Sequence, residues 1–471
     1  MNPPVPAARS VRSQPLLWLV ATGLLMQMLD SSIVNTALPA IARDLDASPL
    51  RMEAVIIAYM LTVALLMPAS GWLADRFGVR RIYLTAIVLF TLGSVLCAQS
   101  QSLAQLVASR VVQGIGGSML MPVGRLAILR TAPRTELLAA LSFIVMPAMV
   151  GPLLGPLLGG WLTENISWHW IFLINVPVGL LGILMTLRIM PPLQSAAAPE
   201  FDLFGFALFA VGVMLVSLAL DGLGELGWSL SIAIWLLVTG IGLLVSYWLH
   251  AMRTDYPLFP PRLFKVNSFA VGILGNLFAR LGSGGMPFLL PLMLQLTLQF
   301  TPSQAGTMLI PMALSSLAAR IGVKRMVKRF GYRNLLTINT LIVGALITSF
   351  SSVLFSPPTW LLVLQLMLMG YVNGIQFTLM NTVTLLDLDD ASASSGNSLL
   401  SVTMQLSMSL GVAAAAALLG SFEHRFGDAE MRRVFAYTFV SIGVMGLVAS
   451  AIFLQLRCDT RQVRPAEVAD L

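Results

Sequence analysis

The chain is 471 residues long, 57% hydrophobic and 10% charged, with a mean hydropathy of +0.85. A soluble domain carries roughly 25% charged residues, and a single soluble core cannot hide this much apolar surface. The net charge of +7 is explained below by loop asymmetry, so it argues for inner-leaflet phospholipid as a partner and against nucleic acid.

Lipid cannot hydrogen-bond a bare backbone, so a spanning chain must form helices or a closed barrel. Barrel strands run near 10 residues with strict alternation, a pattern absent here. The apolar runs are instead about 20 residues long, enough for a helix to cross about 30 Å of hydrocarbon. An all-α membrane protein is therefore expected.

Fourteen spans are predicted, at 16–38, 52–73, 82–99, 103–124, 137–162, 169–189, 203–220, 229–249, 268–296, 304–322, 334–353, 359–385, 395–421 and 434–456. The first follows a polar tail, 1–15, with Arg9 and Arg12. Asp30 interrupts the span and no small-residue cleavage site follows, so it reads as an uncleaved helix rather than a signal peptide. The stretch Pro191 to Pro199 and the loop around Asp255-Tyr256-Pro257 and Pro260-Pro261 punctuate the series. They divide it into a six-helix bundle at 16–189, two additional helices at 203–249 and a second six-helix bundle at 266–456, with a tail at 457–471.

Charge gives an independent check. With the N-terminus in the cytoplasm, 21 of the 28 Lys and Arg residues fall in inner loops and tails and 5 in outer loops. Arg110 and Arg280 remain inside spans. The positive-inside rule thus fits both termini in the cytoplasm of a bacterial inner membrane.

Arg76-Phe77-Gly78-Val79-Arg80-Arg81 recurs as Arg329-Phe330-Gly331-Tyr332-Arg333-Asn334, each copy between two long apolar runs. A duplicated bundle that rocks around a central site is often built this way. A third Arg-Phe-Gly, at Arg425 to Gly427, lacks the trailing Arg and by itself carries little weight. Cys97 and Cys458 are isolated and fall on opposite membrane faces, so neither a disulfide nor a metal site is expected. There is no Walker loop, His-rich cluster or nucleophile elbow, and no polar segment long enough for a nucleotide-binding domain. A secondary transporter, not an enzyme, and without a cofactor, is the reading.

The residues also carry a family resemblance. Leu29-Asp30-Ser31-Ser32-Ile33-Val34-Asn35-Thr36-Ala37-Leu38-Pro39, the loop Gly71 to Arg81, and Arg110 with Gln113, Gly114 and Gly116 resemble motifs of the major facilitator superfamily. Gly151, Gly155, Pro156, Gly159 and Gly160 resemble its antiporter motif in the fifth helix. Trp168 to Phe172 and Asn175-Val176-Pro177 resemble the sixth-helix opening of the fourteen-helix, drug:proton antiporter-2 branch. The matches are dense over 28–180 and sparse afterwards. The resemblance implies a proton-coupled antiporter that exports small molecules, working as a monomer.

Each motif has a physical reading of its own. Asp30 lies deep in an apolar run, where an ionised carboxylate is costly and usually functional. Arg110 is its candidate partner, either for proton coupling or as a buried pair that only fixes packing. Gly71, Asp75, Arg76, Gly78, Arg80 and Arg81 form a candidate cytoplasmic gate, against the plainer reading of a topology signal. Gly151, Gly155 and Gly159 give a flat face for close packing, and Pro152 and Pro156 soften the helix. A hinge between halves is expected there.

Two polar stripes are candidate substrate contacts: Gln27, Ser31 and Asn35 in the first span, and Asn397, Ser401, Gln405 and Ser409 in the thirteenth. Gln113, Asn373 and Asn381 join them, with interhelical hydrogen bonding as the alternative. Arg280, about midway along the ninth span, stands apart. With Arg110 it places two embedded cations against one central carboxylate, which raises an organic anion or its metal complex as the exported species. A non-transporting sensor of the same fold is the remaining alternative.

Overall fold

The computed structural model describes residues 13–133, 136–193, 200–224, 229–355, 358–427 and 430–456. The terminal tails and Cys458 lie outside the described residues. Sixteen α-helices and three short 3-10 turns make up the described chain, with no strand among these residues. The first half comprises α1 (Ser13–Asp44), α2 (Glu53–Phe77), α3 (Val79–Ala98), α4 (Leu103–Thr131), α5 (Leu137–Asn165), α6 (Trp170–Leu173) and α7 (Asn175–Ile189). Next come α8 (Leu203–Gly224) and α9 (Leu230–Ala251). The second half holds α10 (Asn267–Ser283), α11 (Met286–Leu296), α12 (Pro302–Met308), α13 (Ile310–Ser349), α14 (Thr359–Leu385), α15 (Asp390–Phe426) and α16 (Met431–Phe453).

Among the described residues, 11 stretches are long and apolar enough to cross a membrane. One of them, Pro302–Phe355, is 54 residues long and contains two of the expected crossings. The basic segment expected there as a loop is helical: α13 runs through Lys324 to Arg329 without interruption. Lys and Arg are good helix formers and favour the C-terminal turns of a helix, so the helix continues past the apolar run until a residue stops it.

That residue is Gly331, with φ 71° and ψ 163°, a conformation closed to side chains with a Cβ, and it divides α13 into two helices, 310–330 and 332–349. Gly78 (φ 93°) and Gly427 (φ 76°) are the other positive-φ glycines among the described residues. These are the glycines of the three Arg-Phe-Gly copies. The Gly78 and Gly427 N–H groups close their helices on the Ala74 and Glu423 carbonyls, at 3.0 and 2.7 Å. Arg-Phe-Gly is thus a helix stop in all three places, and the discounted third copy shares the local geometry of the other two. Only the first two lie at the basic end of the bundle.

Three expected spans carry a short turn that keeps helical φ/ψ: Ile174 between α6 and α7, Gly284–Gly285 between α10 and α11, and Leu309 between α12 and α13. The Gly284–Gly285 turn brings the chain against Gly411 of α15, where an added Cβ on Gly284 or Gly411 would meet the Arg280 carbonyl at 2.5–2.6 Å.

Helices α1 to α7 pack on one another, as do α10 to α16, while α8 pairs with α9 and rests against α15. The halves meet where α2 runs along α15, where α1 touches α11 and α12, and where α5 packs on α12. Several specific contacts across this seam lie at the end opposite the basic loops. The Gln295 side-chain amide donates to the Thr36 carbonyl at 2.9 Å. The Ser303 N–H donates to the Glu164 carboxylate at 2.9 Å. A Cβ on Gly160 would meet the Pro302 carbonyl at 2.2 Å, and one on Gly306 the Pro156 carbonyl at 2.1 Å.

The expected hinge stripe on α5 therefore divides between two faces. Gly151, Gly155 and Gly159 press on α1 of the same half, against Met28, Ser32 and Ile33. Gly160 and the Pro156 carbonyl face the other half. The physical reason is helix geometry: a repeat of four residues stays on one face, and Gly160 lies about 100° round from Gly159.

Candidate functional site

Asp30 and Arg110 are buried, at 0% and 1% exposure. The Arg110 guanidinium donates from Nη1 to Asp30 Oδ2 at 2.6 Å. Asp30 Oδ1 accepts from Gln113 Nε2 at 2.7 Å and from Asn175 Nδ2 at 2.9 Å. Ser94 Oγ accepts from the same two amides, at 2.8 and 3.3 Å, and donates to the Phe90 carbonyl at 2.9 Å. Four helices thus converge on the carboxylate: α1 supplies it, α4 the cation and one amide, α3 the hydroxyl, and α7 the second amide.

Arg110 is held on its other sides. Nη1 also donates to Gln113 Oε1 at 2.6 Å, and Nε donates to the Val55 carbonyl of α2 at 3.3 Å. The guanidinium lies 4.4 Å from the Tyr59 ring centre and 5.8 Å from that of Phe172, distances at which aromatic faces stabilise a cation. A buried ion pair without such extra partners seldom offsets its desolvation. Here both carboxylate oxygens and the Arg110 Nη1 and Nε have partners and two aromatic faces lie against the guanidinium, which lets the two charges persist away from water.

The expected pairing of Asp30 with Arg110 is found. Gln113, expected to touch substrate, instead belongs to this network and is 0% exposed. Ser94, Tyr59 and Asn175 are additions. Asn175 carried a signal, as part of the sixth-helix motif, whereas Ser94 and Tyr59 are ordinary polar residues in apolar runs and carried none. Glu53, 2% exposed at the start of α2, is a second buried carboxylate that the reading of Asp30 as the lone deep acid overlooked.

The candidate gate residues are engaged within the first half. Asp75 of α2 is paired with Arg130 of α4, and Arg80 donates to the Leu187 carbonyl at the end of α7. Arg76 and Arg81 are exposed, and a Cβ on Gly71 would meet nothing within 4 Å. The loop between α2 and α3 is thus a brace tying α2, α3, α4 and α7 together, with no contact to the second half among the bonds that engage Asp75 and Arg80.

The polar stripes are only partly open. Gln27 and Asn35 are 3% and 7% exposed, and their side-chain oxygens have no protein hydrogen-bond partner. Ser31 turns back to the Met28 carbonyl at 2.9 Å. In α15, Asn397 is exposed, Ser401 and Gln405 are half-buried, and Ser409 is buried. Asn373 and Asn381 of α14 are half-buried, and the Asn381 carbonyl oxygen lacks a partner. Arg280 is half-buried: its Nε donates to Asn276 Oδ1 at 3.2 Å and its guanidinium lies 5.3 Å from the Phe377 ring centre. Its Nη2 is buried without a partner among the described residues.

Two braced helical bundles, a pair of extra helices and a charge centre buried among apolar spans define a multi-pass membrane transporter. The family model of the Major Facilitator Superfamily matches residues 20–412 and 272–469, and the chain belongs to that superfamily. Proteins named "Putative multidrug resistance protein MdtD" are similar along nearly their whole length. That of Pectobacterium atrosepticum is 50% identical, covering 96% of this chain and 97% of its own, and that of Serratia proteamaculans is 48% identical, covering 94% of each. The fold resembles a bacterial homologue of the lysosomal transporter Spinster (TM-score 0.67, 16% identity, covering 94% of this chain and 97% of that one). It also resembles a peptide-bound POT family transporter (TM-score 0.69, 16% identity, 93% and 95%).

Proposed function

We propose that this protein is a proton-coupled antiporter of the bacterial inner membrane, exporting small molecules by alternating access, with both termini in the cytoplasm. The carrying observation is the buried Asp30–Arg110 pair, its carboxylate held by donors from α4 and α7. Neutralising that carboxylate removes the charge that strengthens these bonds, so protonation and helix arrangement are linked. Protons arriving from outside neutralise Asp30 as substrate leaves. The membrane potential contributes about 2.3 kcal/mol per charge per 100 mV, enough to bias one step of the cycle. The similarity to multidrug resistance proteins supports a broad range of drug-like substrates. Proton-gradient-driven flux in vesicles, run against a panel of cationic drugs and organic acids, tests the proposal; flux indifferent to the gradient overturns it.

The seam contacts at the end away from the basic loops support a state closed to the outside. Glu164 is a charged member of that seam. The Ser303 N–H, donating at 2.9 Å, holds its carboxyl below the usual carboxylate range. Its contribution to closure is therefore present above that range and lost as pH falls through the lowered value. Glu164→Gln should raise labelling of outward-facing cysteines up to about fivefold at neutral pH. It should also remove the acid-induced opening of the parent. Equal labelling in both proteins would leave Glu164 without a part in closure.

A second reading of the substrate rests on Arg280, whose Nη2 is the unpartnered end of a mid-membrane cation. Such a group costs several kcal/mol unless compensated, and an anionic substrate compensates it during transport. On this reading organic anions, or their metal complexes, are exported, and Arg280→Gln weakens their flux while sparing neutral and cationic drugs. Equal loss for all substrates marks Arg280 as structural.

A further inference from the structure

We infer that Asn175, the first residue of α7, is the positioning residue that reads the protonation state of Asp30. The inference rests on the proton-coupled reading above. Its starting point is acceptor arithmetic. An ionised carboxylate is acceptor-only, whereas a protonated one becomes a donor at one oxygen. Asp30 accepts from Arg110, Gln113 and Asn175. A proton on Oδ1 displaces one of the two amides, and a proton on the open lone pair of Oδ2 leaves the donors in place but removes the charge that strengthens their bonds.

The three donors are not equally provided for. Arg110 retains the Val55 carbonyl, Gln113 Oε1 and the Tyr59 ring. Gln113 Nε2 retains Ser94 Oγ at 2.8 Å. Asn175 Nδ2 has Ser94 Oγ only at 3.3 Å, on an oxygen that Gln113 already occupies. Asn175 therefore loses most when Asp30 is neutralised. It also has the means to respond. Beside the anion its Nδ2 must face the carboxylate, because its own oxygen would be repelled. Beside the neutral acid, a half-turn of the amide presents Oδ1 to accept the new O–H.

The location links this exchange to the whole charge centre. Asn175 opens α7, which follows α6 through Ile174 with helical angles (φ −59°, ψ −26°). Phe172 of α6 lies over the Arg110 guanidinium. One helical segment thus touches both members of the charge pair, Phe172 the cation and Asn175 the anion. The segment's own titratable group, Arg188, lies at its far end. Around Asp30, the charged or titratable side chains are Arg110 of α4, Tyr59 of α2 and Cys97 of α3, the last bonded to Gln113 Oε1 at 3.8 Å. The charged residues of α5 and α7, Glu164 and Arg188, lie at the far ends of those helices, and α6 and α11 have none.

The test is the pH dependence of gradient-driven flux in vesicles containing the full chain. Asn175→Ala removes a donor to the ionised form, so Asp30 should protonate more readily and the midpoint should rise by about one pH unit. Asn175→Ser, which keeps a small donor, should return it part of the way. Asn175→Asp places a like charge beside Asp30 and should raise it further, giving a second measure if the Ala variant fails to insert. A midpoint that stays at the wild-type value in the inserted variants, with only the rate lowered, makes Asn175 structural and overturns the inference alone. Wild-type flux without gradient dependence overturns the coupling reading and this inference together.

Discussion

Asp30→Asn is expected to insert and fold yet lose gradient-driven export, its flux falling to that of vesicles without protein. The substitution keeps the shape of the side chain and one acceptor oxygen, so Arg110 retains a hydrogen bond at that site. The guanidinium also keeps the Val55 carbonyl, Gln113 Oε1 and two aromatic faces. Those partners spread a positive charge that would otherwise be stranded. What vanishes is the ability to take up and release a proton inside the bundle. Substrate exchange without a gradient should persist, because it needs the helices to rock but needs no net proton movement. Wild-type gradient-driven flux in an inserted Asp30→Asn protein would remove Asp30 from the coupling step.

Arg110→Ala is expected to damage the protein itself. Asp30 is 0% exposed, and the substitution leaves its charge with two neutral amides as partners. Breaking a buried pair from one side typically costs about 3–5 kcal/mol, against a total stability only a few times larger. The variant should show low yield and a lowered melting temperature in detergent. Combining Arg110→Gln with Asp30→Asn removes both charges and keeps polar partners for Gln113 and Ser94. The double variant should therefore be markedly more stable than Arg110→Ala, and remain inactive in gradient-driven flux. An Arg110→Ala protein as stable as wild type would show that the pair contributes little to holding α1 and α4 together. The asymmetry between the two single substitutions has one cause: the cation has alternative partners and the anion has few.

The helical character of the apolar runs and the Asp30–Arg110 pair were legible in the amino-acid sequence alone. Lipid makes them so. A residue's cost in hydrocarbon depends mainly on its own polarity and its depth, both of which are one-dimensional properties. The Arg-Phe-Gly stops were legible for a similar reason, since a glycine ending a helix acts on its own backbone.

The rest depended on which helix faces which. Asn175 bonds Asp30 across 145 positions of chain, and Gln295 bonds Thr36 across 259. No local pattern marks Ser94, or assigns Arg130 rather than the second half as the partner of Asp75. Gly159 and Gly160 are neighbours in sequence, yet one packs on α1 and the other on α12. Polarity and helix stops are written residue by residue and so are read from sequence. Partners across the bundle are set by the rotation and crossing of whole helices, which the tertiary structure alone decides.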